Sequence, residues 1–289
     1  MPAFLIDLHA HTTASDGTYT PTQLVELAVE RGLKTLGITD HDTIDGLAEA
    51  MTAGQRLGLE IVPGVEFSLR HEYDKHFVGI HLLGYFINPD ASAFVEVMQK
   101  VRQGRVEQKI RQIKKLQEFG FDIPVDEVFA RVSGVPGRPH IAAVLLERNP
   151  GKFKDTQQIF DEYLGTHAKA HVGRQFALRL AQAVEIIKVA GGIPIFAHPG
   201  AYGAGIDPMT ALRKATAEGV EGVEVFYPYA NGRGHWVGRI DALTDELNLL
   251  KTGGSDFHGR PQDGIELGDM GLTLEQYTTF KQGWQQLRK

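Results

Sequence analysis

Short apolar runs alternate with amphipathic stretches through the first third of the chain, and the same rhythm returns in the last third. Residues 4–8 form an apolar run broken by Asp7. Thr20-Pro21-Thr22-Gln23 then reads as a helix start, with Thr20 as N-cap, Pro21 at the first helical position and Gln23 completing a capping box. Leu24, Leu27 and Ala28 give that helix an apolar face, and Gly32 ends it. Residues 35–39 are the next strand, and a helix from about 44 to 57 stops near Gly58. Apolar runs follow at 59–66 and 77–86. In the last third, helices at 181–190, 209–218 and up to about 247 alternate with strands at 193–197, 220–226 and 249–254.

Such alternation predicts an α/β fold with a mainly parallel sheet. Polar clusters collect just past the apolar runs, which favours a barrel with its chemistry at the carboxyl face. About seven strands are visible, so the expectation is a distorted (β/α)7-type barrel over residues 1–88 and 176–289. Residues 89–175 break the pattern. Val97, Val101, Val106, Ile110, Ile113 and Leu116 have helical spacing, and no convincing strand follows. This stretch is expected to be a helical insertion subdomain over the active site. Its first helix holds Lys100, Arg102, Arg105, Lys109, Arg111, Lys114 and Lys115 among Glu96, Glu107 and Glu118. That pattern fits a solvated helix face, or else a basic lip that draws in a phosphate-bearing substrate.

Composition narrows the chemistry. At 42% hydrophobic and 23% charged the chain reads as soluble and globular, and 289 residues suffice for one large barrel. A net charge of −6 argues against a surface for long nucleic acid. The absence of cysteine excludes disulfides, thiolate metal sites and cysteine nucleophiles. Any metal must be held by nitrogen and oxygen, which suits Mn, Zn or Fe. No basic leader opens the sequence and no apolar run approaches a membrane span, so a cytoplasmic location is expected.

The polar clusters are Asp7-Leu8-His9-Ala10-His11 with Asp16, then Thr39-Asp40-His41-Asp42, Ala197-His198-Pro199 and Gly254-Ser255-Asp256-Phe257-His258. Imidazole and carboxylate are costly to bury unless they bind something. A His-x-His pair on a strand points both rings to one face, where they reach one ion. Glu66 ends a strand, and a carboxylate can bridge two cations. Clustered divalent ions generate hydroxide at neutral pH and clamp the oxygens of an in-line displacement, which suits phosphate esters. Isolated histidines such as His71, His167 and His235 read as ordinary surface or core residues.

Taken together, Asp-Leu-His-Ala-His-Thr, Ser-Asp-Gly, Ile-Thr-Asp-His-Asp-Thr, Pro-Gly-Val-Glu, His-Leu-Leu-Gly-Tyr, Ala-His-Pro-Gly and Gly-Ser-Asp-Phe-His resemble the polymerase and histidinol phosphatase (PHP) family of metal phosphoesterases. With its helical insertion, the chain is most similar to the stand-alone branch of nucleoside 3′,5′-bisphosphate phosphatases and short-RNA 5′ exonucleases. The resemblance implies two or three divalent ions (Mn, Fe or Zn). His9, His11, Glu66 and Asp256 would hold one, and Asp16, His41 and His258 a second. Glu66 would bridge to a third, held with His81 and His198. His76 is the alternative to His81. Asp40 would orient an imidazole beside the metals, or else cap its strand end. Arg138 and His140 match an Arg-x-His segment that faces the metals in this branch; there Arg138 would grip a substrate phosphate, and His140 would bind phosphate or protonate the leaving oxygen. The other reading of that segment is an ordinary helix start. Relatives often carry a basic residue where this chain has Ala201, and Lys169 or Arg174 would have to replace it.

The implied function is hydrolysis of phosphomonoesters of small nucleotides through a metal-bridged hydroxide, with 5′ trimming of short RNA as a companion activity. A histidinol-phosphate-type phosphatase and a non-catalytic metal-binding domain are the alternatives.

Overall fold

A computed structural model of the protein describes residues 4–289 apart from 133, 203–205, 230–232 and 262–263. The elements run β1 (Ile6–Asp7), α1 (Pro21–Glu30), β2 (Thr35–Ile38), α2 (Leu47–Leu57), β3 (Glu60–Ser68) and β4 (His81–Tyr85). Five helices follow: α3 (Ser92–Glu118), α4 (Val125–Phe129), α5 (Arg138–Arg148), α6 (Thr156–Ile159) and α7 (Leu180–Val189). The alternation then resumes with β5 (Ile193–Phe196), α8 (Pro208–Ala217), β6 (Gly222–Phe226), α9 (Trp236–Glu246), β7 (Leu250–Gly253) and α10 (Leu274–Leu287). Local signals set several of these boundaries. Thr20 and Gln23 close the capping box of α1, with Pro21 in its first turn.

The seven strands form one sheet in sequence order. Its two ends approach through Leu8 N, which donates to Gly253 O at 3.3 Å, and through an isolated parallel bridge between Ala10 and Phe257. The result is a nearly closed barrel ringed by helices. One expectation needs correction: β4 runs antiparallel to both β3 and β5, while the other pairings are parallel. The segment between β3 and β4 holds only a turn of 3-10 helix, Tyr73–Lys75, in place of the packed helix that usually carries a parallel crossover. His81 therefore lies at the start of its strand, on the same barrel face as the ends of the parallel ones.

The barrel interior packs Ile6, Leu8, Leu83, Tyr85, Ile193 and Ile195, all buried. Helix α3 belongs to two cores. Phe94, Met98 and Val101 pack with the barrel's outer layer, whereas Ile113 and Leu116 pack with α5 residues Ile141, Val144 and Leu145. Burial of those side chains fixes the segment between β4 and α7, which contains no strand among the described residues.

Candidate active site

The loops at one end of the barrel bring the polar clusters together. His9 Nε2 and His11 Nε2 lie 3.2 Å apart, and Asp256 Oδ1 sits 3.2 Å from the first and 3.0 Å from the second. Glu66 Oε2 lies 3.4 Å from both of these nitrogens and 3.0 Å from His41 Nδ1. The other oxygen, Oε1, is 2.8 Å from His81 Nδ1 and 2.9 Å from His198 Nε2. Asp16 Oδ1 is 3.5 Å from His258 Nε2 and 4.0 Å from His11 Nδ1. Three sets of donor atoms converge: His9, His11, Glu66 and Asp256; His11, Asp16, His41 and His258; and His41, Glu66 and His81. The first matches the expected grouping. In the others His11 and His41 each join a neighbouring set, and His198 approaches through Glu66.

Backbone strain accompanies this convergence. His198 (φ 23°) and Asp256 (φ 56°) occupy the left-handed region, which non-glycine residues seldom adopt outside functional loops. Gly254 is required by contact: a Cβ there would meet the backbone nitrogen of His9 at 2.4 Å. Ser255 then donates through its N–H and its hydroxyl to Asp7, at 3.0 and 2.6 Å, tying the β7 loop to β1.

The donor set suits divalent cations. His11 Nδ1, Asp16 Oδ1, His41 Nδ1, Glu66 Oε2 and His198 Nδ1 are buried without a hydrogen-bond partner among the described residues. Burying so many polar atoms unpaired is unfavourable unless something binds them. Charge is also poised. Burial opposes ionisation of Glu66, but His41, His81 and His9 outweigh it and hold its carboxyl well below the usual range. Burial likewise opposes protonation of His258, yet Asp16 and Asp256 raise it to about 9.

A cavity of about 710 Å³ opens from this cluster. Asp16, His41, His81, His198 and His258 line one side, and Arg105, Lys109, Gln112 and Arg138 line the other. Lys109 and Gln112 are 5% and 4% exposed. Burial, then Arg105, Arg138 and Arg174, push the Lys109 amine well below its usual pKa. Arg105 and Arg174 converge on the buried carboxylate of Asp42, at 2.6 and 2.8 Å. The solvated-face reading of α3 therefore fails for Arg105 and Lys109.

Several expected contacts lie elsewhere. Asp40 orients no imidazole: its carboxylate accepts from Thr12 N (2.8 Å), Thr12 Oγ1 (2.7 Å) and Ser15 Oγ (2.5 Å), bracing the loop that carries His11 and Asp16. Lys169 is exposed, paired with Glu162 at 3.2 Å and set over the Tyr163 ring, away from the cavity lining. His140 caps its own helix, its Nδ1 accepting the Gly137 N–H at 3.0 Å. Burial pushes that imidazole down to about 4, so at neutral pH it is uncharged with its proton on Nε2, a poor proton source for a leaving group. Arg138 does line the cavity, and Gly137 lets α5 approach closely, since a Cβ there would meet Asp16 at 2.8 Å. His76 is exposed and outside the cluster.

Three site residues escaped sequence reasoning. Glu224 accepts from His9 Nδ1 at 2.8 Å and from the His198 N–H at 2.9 Å. Tyr227 donates its hydroxyl to Asp256 Oδ2 at 3.0 Å. Arg260 donates to the Asp16 backbone carbonyl. An acid inside the apolar run Gly222-Val223-Glu224-Val225-Phe226 was the available signal for the first.

A sequence profile described as the PHP domain matches residues 7–173, more than half of the chain. The chain belongs to the PHP family. Across 91% of its length the PHP chain is 33% identical to a 3′,5′-nucleoside bisphosphate phosphatase from Chromobacterium violaceum, covering 90% of that protein. It is also 33% identical to the 5′-3′ exoribonuclease Rnm of Escherichia coli, over 92% of this chain and 89% of the other. A solved structure from Bifidobacterium adolescentis, proposed to be a metal-dependent phosphoesterase, superposes with a TM-score of 0.83 at 28% identity, covering 98% and 97% of the two chains. With clustered metal-type donors in its barrel mouth, this PHP protein is a hydrolase of phosphoester bonds. No helix among its described residues is long and apolar enough to cross a membrane.

Proposed function

We propose that the protein removes the 3′-phosphate of nucleoside 3′,5′-bisphosphates, using two or three divalent ions (Mn, Fe or Zn) held by His9, His11, Asp16, His41, Glu66, His81, His198, Asp256 and His258. One observation carries this reading: a single cavity joins the metal-type donors to a cationic wall that contains a buried lysine. A substrate with two phosphates suits both sides at once. Bound ions supply Lewis acidity and lower the pKa of water. The chain's own residues do the rest. Glu224 keeps His9 Nε2 turned into the cluster. Arg138 and Lys109 receive the phosphate that is not cleaved, Arg138 through its planar fork and Lys109 as a buried amine whose charged form an anion would favour. Residues 89–175 act as the roof that excludes bulk solvent from this exchange. The Escherichia coli relative, a 5′-3′ exoribonuclease, gives a second substrate class to try, RNA shortened from its 5′ end.

Released phosphate from a panel of esters tests the proposal. A nucleoside 3′,5′-bisphosphate should be turned over far better than a nucleoside monophosphate, histidinol phosphate or a chromogenic ester. Loss of one charge-assisted contact, ~1.5–3 kcal/mol, lowers the bisphosphate-to-monophosphate ratio of kcat/KM by on the order of tenfold to a hundredfold in Arg138→Ala or Lys109→Met. Equal rates for the bisphosphate and histidinol phosphate would remove the nucleotide assignment.

A further inference from the structure

The same cavity carries a feature that phosphate chemistry does not use. His71, from the β3–β4 connection, and His171, from the segment before α7, stack with ring centroids 5.7 Å apart and planes 14° from parallel. Tyr73 meets His71 edge-on at 5.7 Å and 89°, its hydroxyl 3.2 Å from His71 Nδ1. All three residues line the cavity, and Tyr73, 65% exposed, marks its rim. The rings are held from both sides. Arg70 N donates to Leu178 O at 2.8 Å beside His71, and Lys115 Nζ donates to the His171 carbonyl at 3.2 Å.

A second metal site is a poor account of this cluster. These histidines are absent from the converging donor sets found among the described residues. Aromatic rings presented beside a cationic wall instead suit a flat, π-rich group attached to phosphate. Burial and nearby positive charge also keep both imidazoles below their usual pKa, so they remain neutral rings beside the arginines.

We infer that His71, Tyr73 and His171 form a stacking site for the nucleobase of the substrate. The inference rests on the nucleotide reading above and adds to it how the base is held. Every base offers a π face, so stacking of this kind tolerates all four. The enzyme should therefore require a base while discriminating little among adenine, guanine, cytosine and uracil.

The test compares a nucleoside 3′,5′-bisphosphate with a ribose bisphosphate that lacks the base, using the metal-loaded full chain. In the wild type the base-bearing substrate should be preferred. In His71→Ala, His171→Ala and the double variant, that preference should fall on the order of tenfold to a hundredfold, mainly through KM. His71→Phe and His171→Phe, which keep a ring, should retain it. As a readout independent of turnover, the fluorescence of a 2-aminopurine nucleoside monophosphate should be quenched on binding the wild type and recover in the double alanine variant. Hydrolysis of bisphosphates with a preference unaffected by ring loss would overturn the stacking site and leave the nucleotide reading intact. Quenching that depends on the rings, without bisphosphate turnover, would do the reverse. A proportional loss on both substrates would make the rings structural and also end the inference.

Discussion

Glu224 Oε1 lies 2.8 Å from His9 Nδ1, and neither side chain reaches solvent. The bond decides which nitrogen of His9 faces the other donors, because a proton held on Nδ1 leaves Nε2 with its lone pair directed at the cluster. The second oxygen of Glu224 anchors the His198 N–H at the point where that backbone enters a strained conformation. Glu224→Gln should therefore lower metal affinity about tenfold to a hundredfold with the fold kept. Activity would be poor at limiting Mn²⁺ and largely recovered in excess, measured by titrating metal into chelated protein. Unchanged metal dependence would reduce Glu224 to a core residue.

His81 and His76 offer a direct comparison on neighbouring residues. His81→Ala removes a nitrogen 2.8 Å from the central carboxylate and should reduce both bound metal and turnover, the latter by orders of magnitude. His76→Ala alters an exposed turn and should leave both near wild type. Metal analysis beside phosphate release checks the pair, and normal metal content in His81→Ala would refute the assignment.

Proton and metal compete for the same atoms. His258 has a folded-state pKa raised from 6.5 to about 9, chiefly by Asp16 acting against burial. In metal-free protein this contribution to stability is fully present below pH 6.5 and disappears as pH rises through 9. The shift corresponds to about 3 kcal/mol, shared with Asp16. Chelated protein should accordingly show a falling Tm between these pH values, whereas metal-loaded protein should not. Metal added at neutral pH should release protons into weak buffer, and metal affinity should weaken as pH falls. A pH-independent Tm in chelated protein would contradict the assigned charge state.

Asp42 ties the barrel to the helices that cover it. Its buried carboxylate accepts from Arg105 and Arg174 and also from the Ser68 N–H at 3.0 Å. Removing one partner of such a network leaves buried guanidiniums uncompensated, at about 3–5 kcal/mol. Asp42→Ala should lose stability of that order in urea unfolding. Asp42→Ala with Arg105→Met should recover part of it, because one stranded charge is gone. A loss below about 1 kcal/mol would show that water screens the cluster.

Most of the strand-tip acids and histidines were legible because they follow an apolar run that ends at the same barrel face, whereas His81, first in its reversed strand, was legible through its His-Leu-Leu-Gly motif. His9, His11, Asp16, His41, Glu66, His81, His198, Asp256 and His258 do gather there. What the sequence left open or missed depended on contacts distant along the chain. Lys109 and Gln112 share a helix with many exposed charges, and only the packing of α3 decides that their side turns inward. Asp40 sits beside His41 in sequence, yet a buried side chain goes to the nearest donors, here Thr12 and Ser15. The reversed β4 was hidden because a short apolar strand reads the same in either direction.

That reversal gives α3 a job in length measurement. A strand that begins at the active face delivers the chain to the opposite end of the barrel, so the cavity lining on α3 must be reached by climbing back. The 27 residues of α3 rise about 40 Å at 1.5 Å each, starting against the barrel at Phe94 and reaching the cavity at Arg105 to Gln112. The helix is thus a ruler whose graduations are also angles. Seven residues added to it lengthen the strut by about 10 Å with only ~20° of rotation, whereas two would swing Lys109 away from the cavity. Substrate size in this architecture can change in two-turn steps without redesign of the metal-binding end.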